Sequence, residues 1–300
     1  MTSRVPGRRP PLPGHSAPVS SWRSSLESLG IATGPLADPL TYPGRMAGWS
    51  GLLVDDLYLR VSPRARTPLG GWAVPGSSGP GAQGIDDVLR ELGRPAVSER
   101  HVVVSIGSNA APAQIHAKFT TRDVRVALPM IRAEASGIRA GVSAHVSRPG
   151  YLPATPVADP AAVSTLVVLW LDDDQLAALD DTEPNYHRVR LPTDPFTLSL
   201  PSGGRLSDPY CYVSRHGCLT DGLGSPRPLR SQHELISDLL AGSPALRRLC
   251  GATPLEWLRR TADLGVRHKV RDLLRRERLV AHQAEFADLP RAGFPDASRR

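Results

Sequence analysis

Cysteine, lysine and aromatic residues are all scarce in this chain of 300 residues. The three cysteines, Cys211, Cys218 and Cys250, form no CxxC pair and are odd in number. A disulfide framework is therefore excluded, and a reducing, cytoplasmic setting is expected. Lys118 and Lys269 are the only lysines among 36 basic residues, so the net charge of +7 reflects an arginine-rich composition. Aromatic residues make up 5% of the chain. No apolar run approaches the roughly 18 residues of a membrane span, and the N-terminus carries Arg and Pro without an apolar signal core. No membrane partner is expected.

Familiar catalytic signatures are missing too. There is no G-x-S-x-G elbow, no cysteine in a protease context, no P-loop and no G-x-G-x-x-G opening a helix after a strand. Cys211, His216 and Cys218 lie close together in CYVSRHGC, but their spacing matches no common zinc pattern and a fourth ligand is not evident. They read as a strand end, and no metal site is expected.

What is present begins with 40% apolar residues, enough for a sizeable core in one or two domains. The 30 prolines and 27 glycines crowd the N-terminal part, in MTSRVPGRRPPLPGHSAPVS and TPLGGWAVPGSSGPGAQG. Residues 1–95 are therefore expected to be an N-terminal extension, partly disordered. Within it GLLVDDLYLRV is expected as a strand or short helix, and IDDVLRELG as a helix with Gly93 at its C-cap.

From Val102 the pattern is denser. VVVSI reads as a buried strand that runs into Gly-Ser-Asn and then into PAQIHAKF, a helix with Pro112 in its first turn and Asn109 as a candidate cap. VRVAL, SAHVS and STLVVLWL read as strands, the last apolar enough to be covered on both faces. Asp172 to Asp174 suit a first helical turn, and Pro184 ends that helix near Glu183. YHRVRL, FTLSL and PYCYVS follow as strands, with PSGGR as a hairpin-like turn between the last two. The fold expected is α+β, a small mixed β-barrel or curled sheet with short helices over residues 96–215, followed by a helical segment and tail over 216–300.

The C-terminal segment has capping boxes at Ser231/Glu234 and Thr253/Glu256, and an apolar repeat through Leu255, Leu258, Ala262, Val266, Val270 and Leu273. Between Leu246 and Arg278 ten basic residues face four acidic ones. That cluster could be a nucleic-acid footprint, but its apolar repeat argues for one face packed on the body with the charges solvated.

Glu183 stands out because a carboxylate held extended at a helix-to-strand junction can point into a pocket, where desolvation suits it to proton transfer. SIGSNAAPAQI, YLPATPVADPAAVSTLVVLWL and LAALDDTEPNYHRVRL, in that order and with Asn109 and Glu183 74 residues apart, resemble the γ-glutamylcyclotransferase superfamily. The resemblance covers roughly residues 100–215 and implies a transferase- or lyase-type enzyme that cyclises a γ-glutamyl group, releasing 5-oxoproline and an amine or amino acid. It implies Glu183 as general acid/base and Gly107, Ser108 and Asn109 as the substrate loop, flanked by Ser105 and Ile106, with Tyr186 in the pocket wall. Neither metal nor cofactor is required, and the partner is a small γ-glutamyl compound. Two positions depart from the family pattern: Ile106 replaces the usual Tyr, and Pro184 a common Gly. The alternative is a non-catalytic binding module on the same fold, with residues 1–95 contacting a protein partner.

Overall fold

The computed structural model describes residues 23–75 and 82–292, and the disorder expected at the chain start falls outside them. Nine strands make the main sheet: β1 (Arg23–Ser25), β2 (Gly51–Val54), β3 (Leu57–Arg60), β4 (His101–Ser105), β5 (Ala127–Val142), β6 (Ala154–Leu171), β7 (Tyr186–Arg190), β8 (Thr197–Ser199) and β9 (Tyr210–Ser214). Their order is β1-β3-β2-β5-β6-β4-β9-β7, with β8 also paired to β5. All pairs are antiparallel except β4 with β9. The fold is mixed α+β, as expected. Its sheet is open, with β1 and β7 at the ends of the path, so the barrel alternative is not formed.

The long hairpin of β5 and β6 is the spine. Their register breaks between Ser136 and Ile138, where Gly137 takes a φ of +81° and the pair bends. On one side of the break β5 pairs with β2, and its other edge residues Glu134 to Ser136 pair with β8. STLVVLWL is covered on both faces: Val168 and Trp170 join one apolar cluster, while Val167, Leu169 and Leu171 join another. Successive side chains of a strand point to opposite faces, so one strand serves two cores.

Three expectations are corrected. Residues 1–95 are not a separate appendage from Gly51 on, because Gly51 to Val54 pair with Ala127 to Met130 and GLLVDDLYLRV is itself a hairpin turning at Asp55. SAHVS makes only an isolated bridge from Ser143 to Cys218 and then leaves the sheet as a loop. FTLSL and PYCYVS do not pair with each other: the first lies on β5, the second between β4 and β7.

The helices follow local rules more closely. They are α1 (Ile85–Glu91), α2 (Pro112–Thr120), α3 (Asp173–Asp181), α4 (Gln232–Gly242), α5 (Pro244–Cys250), α6 (Pro254–Thr261), α7 (Leu264–Arg276) and the single turn α8 (Ala284–Ala287). Asp172 caps α3, and both C-terminal capping boxes are formed. The apolar repeat from Leu255 to Leu273 is broken in two, because the Asp263 side chain caps a new helix at Val266 N–H. Leu255 is left 64% exposed, while Trp257, Val270 and Leu274 are buried. Among the described residues no helix is long and apolar enough to cross a membrane.

The pairing of β2 with β5 makes the N-terminal strands part of the core. A chain beginning at residue 96 is expected to lose cooperative thermal unfolding, followed by circular dichroism. A sigmoidal transition at the full-length midpoint would contradict this.

Candidate active site

β4 delivers the chain to Ile106 and Gly107, and a single 3-10 turn over Ser108–Ala110 leads to α2, with Pro112 in its first turn. Gly107 is required by space: a Cβ there would lie 2.3 Å from the Tyr42 hydroxyl and 2.9 Å from the Ala154 Cβ. Asn109 does not cap α2, whose cap is Ala111. Its amide is used elsewhere.

That use is Glu183. After α3 ends, Glu183 N–H bonds to Asp180 O and Tyr186 N–H bonds back to Glu183 O, so the acid sits in a tight turn before β7. Its Oε1 accepts from Asn109 Nδ2 at 3.0 Å and from Lys118 Nζ at 2.7 Å. Lys118 Nζ also donates to Asn109 Oδ1 at 2.7 Å, closing a three-membered ring of contacts. The lone desolvated acid expected from the sequence is thus half of an ion pair, with side-chain exposures of 13% for Glu183 and 9% for Lys118. Oε2 makes no hydrogen bond to a described residue.

The carboxylate lines a cavity of about 400 Å³. Ser105, Ile106, Gly107, Ser108, Asn109, Glu183 and Tyr186 all lie in its wall, so every site residue expected from the sequence is brought to one place. Ser105 Oγ is buried without a partner among the described residues. The Tyr186 hydroxyl is engaged, donating to Ala154 O at 2.8 Å.

Four of the six tyrosines, Tyr42, Tyr151, Tyr186 and Tyr212, line this one cavity. Tyr42 comes from the N-terminal segment; its hydroxyl accepts from Ala154 N–H at 2.7 Å and its ring stacks on Tyr151 at 4.3 Å. A tyrosine therefore reaches Gly107 although position 106 is isoleucine. Burial raises the Tyr42 and Tyr186 hydroxyls above their usual range, and burial followed by the nearby Glu183 charge raises Tyr151 to about 12. The aromatic part of the wall is neutral, and the charged residues of the lining are Glu183, Lys118, Arg122, Arg148 and Asp181.

The loop after β5 supplies the opposite wall through His145, Ser147 and Tyr151. It is held from behind by the C-terminal helices: Gln232 makes two hydrogen bonds to the backbone of Leu152, and Trp257 Nε1 donates to Gly150 O at 2.9 Å. His145 Nδ1 lies 2.6 Å from Ser143 Oγ. Its ring is neutral, because burial first, then His216 and Arg271, lower it to about 3. His216 is lowered to about 4, mainly by burial and Arg271, and its Nε2 lies 3.0 Å from Asn185 Oδ1. Lys118, Tyr42, Tyr151 and His145 were not singled out as site residues in the sequence; the one available signal was that Lys118 is a rare lysine in an arginine-rich chain.

No family model matches the chain, and no curated protein matches it significantly. Among solved structures it is similar to one described as gamma-glutamyl cyclotransferase, at 12% identity and a TM-score of 0.33, with 62% of this chain and 90% of that chain covered. It is similar to an uncharacterized protein from Homo sapiens at 13% identity and a TM-score of 0.33, with the same coverage of 62% and 90%. A third, YkqA from Bacillus subtilis, is 11% identical with a TM-score of 0.30, over 67% of this chain and 61% of that one. Likeness at this level transfers no function, so the chemistry rests on the atoms of the cavity.

Two outcomes follow from this geometry. Gly107→Ala overpacks the loop against Tyr42 and Ala154 and should cost about 1–3 kcal/mol in denaturant unfolding; an unchanged midpoint would contradict the contact. His145 and His216 stay neutral in the fold at pH values where the unfolded chain binds protons. Stability should therefore hold above pH 6.5 and fall as pH drops through 6.5 toward 4. Unfolding midpoints at pH 7, 6, 5 and 4 should decline less steeply in His145→Gln, and equal slopes would contradict the assignment.

Proposed function

We propose that this protein is a γ-glutamylcyclotransferase-like enzyme, closing a γ-glutamyl group to 5-oxoproline and releasing an amine or amino acid. One observation carries the reading: Glu183 is anchored through Oε1 by Asn109 and Lys118, its Oε2 makes no hydrogen bond to a described residue, and it lines a cavity bordered by the Gly107 to Asn109 loop. A carboxylate clamped on one oxygen and open on the other has the geometry of a proton shuttle.

The substrate's α-ammonium gives a proton to Glu183 Oε2, and the freed amine attacks the γ-carbonyl carbon. The bond from that carbon to the leaving nitrogen breaks as the same proton passes from Glu183 to the departing nitrogen, and the attacking nitrogen gives up its second proton by the same route, so that the ring keeps one N–H and the amine leaves as its ammonium. Atoms balance without water, metal or cofactor. Because the attack is intramolecular, the protein's task is to hold the γ-glutamyl chain folded on itself. The loop amides at the head of α2 suit the substrate's α-carboxylate, since the helix dipole favours negative charge there. Lys118 keeps the shuttle in place.

The test is a panel of γ-glutamyl amino acids, γ-glutamyl amines and glutathione, with 5-oxoproline measured directly. Release from at least one is expected, falling by about 10²-fold or more in Glu183→Gln. No 5-oxoproline from any compound, or full activity in Glu183→Gln, would overturn the reading.

A further inference from the structure

We propose that a second cavity, on the far side of the sheet from Glu183, binds a small organic acid whose apolar body enters the cavity and whose carboxylate meets Arg215 and Arg291 at the mouth. The two cavities share no lining residue, so this site stands apart from the cyclotransferase reading.

Strand geometry separates the two. Successive side chains of a strand point to opposite faces, and on β6, β7 and β9 sequence neighbours part accordingly. Ala154, Tyr186 and Tyr212 line the Glu183 cavity, whereas Thr155, His187 and Val213 line the second one, of about 280 Å³. His187 and Val213 are partners in the β7/β9 register, so they lie side by side on this face. The outer wall is the chain from His282 to Arg291, and it is pinned at both ends and in the middle. Gln283 Oε1 accepts from Ala158 N–H at 3.2 Å, Phe286 of α8 stacks on Phe196 at 5.3 Å, and Ala292 N–H donates to Arg188 O at 2.9 Å. The cavity is therefore formed before any ligand arrives, as small-molecule sites usually are.

The interior suits apolar matter. Val189 and Phe286 are buried members of the apolar core, with Val213 and Leu289 packed against it. The buried polar groups of the lining are already engaged: Thr155 Oγ1 accepts Ser214 N–H at 3.1 Å, Ser214 Oγ accepts His216 N–H at 3.0 Å, and Cys218 Sγ donates to Ala281 O at 3.5 Å. A ligand group placed there gains by apolar burial and not by hydrogen bonding.

The mouth suits negative charge. Arg215, His282 and Arg291 are exposed there, His187 is half-buried, and no Asp or Glu belongs to the lining. The side chains of His187, His282 and Arg291 make no hydrogen bond or ion pair with a described residue, and Arg215 uses only its Nε, on Tyr186 O at 3.0 Å. The two guanidinium charges converge on one place: after burial, Arg291 and then Arg215 are what lower the His187 imidazole. A carboxylate there is met by both, and the planar fork of a guanidinium matches its two oxygens. At about 280 Å³ the space is at the small end of ligand sites, which fits a short aliphatic or aromatic acid.

Proton–nitrogen correlation spectra of the ¹⁵N-labelled full chain, titrated with hexanoate, test the site. Millimolar hexanoate should move the backbone amides of Val189, Val213, Gly217 and Phe286. Hexanol lacks the charge and inorganic phosphate lacks the apolar body, so each should bind at least about tenfold more weakly. Arg291→Gln changes an exposed side chain and should weaken hexanoate by about two- to fivefold, and added sodium chloride should weaken it in the unaltered chain. No movement of these amides, equal binding of hexanol, salt-independent binding, or no change in Arg291→Gln overturns the proposal. Movement confined to Gly107 to Asn109 puts the acid in the Glu183 cavity and overturns it as well. Glu183→Gln should bind hexanoate at the second cavity as the unaltered chain does, so a protein that releases no 5-oxoproline counts against the cyclotransferase reading alone.

Discussion

A carboxylate withdrawn from water needs a cation or donors beside it, and the 2.7 Å contact of Lys118 with Glu183 meets that need. Three separate pieces of chain exist in their observed places to make it. β4 and its loop bring Asn109, α2 brings Lys118, and the turn after α3 brings Glu183. Pro112, Gly107 and Pro184 are local devices that set the angles at which these pieces meet. The apolar strands beneath supply the rigidity: β6 packs one cluster on each face, so the loop and the acid are mounted on a surface that is fixed from both sides.

The motif that was legible in the sequence is the part encoded locally. A strand into Gly-Ser-Asn, a proline in the first turn of a helix, and an acid before Pro184 are all short-range signals, and they mark where the loop and Glu183 lie. Lys118 was not legible because a lysine on an amphipathic helix ordinarily reads as solvated. Its burial follows from Ile115 and Phe119 turning the helix into the core. Tyr42 and His145 depend on contacts distant in sequence or on an irregular loop, neither of which leaves a periodic trace.

The same distinction explains the sheet. STLVVLWL announced itself by composition, whereas most of β5 did not, because Arg132, Glu134, Ser136 and Arg139 alternate with small or apolar residues along one solvated side. The break expected at residue 95 was drawn where composition changes. The pairing of Gly51 to Val54 with Ala127 to Met130 crosses it, and no local pattern specifies a partner about 76 residues away. In the C-terminal region the capping boxes were readable, but the Asp263 cap between α6 and α7 was hidden inside a continuous apolar repeat.

The two tyrosines that grip the Ala154 peptide have a consequence for the order of assembly. Tyr42 reaches it across 112 residues, and Trp257 reaches the neighbouring loop across 107. Closing loops of that length is paid in chain entropy before any contact rewards it. Helices and the β5/β6 hairpin can form from nearby sequence, but the cavity is complete only when chain segments from residue 42 to residue 257 have docked. During synthesis, the cavity is therefore among the last features to appear, and it does so only after the C-terminal helices have emerged.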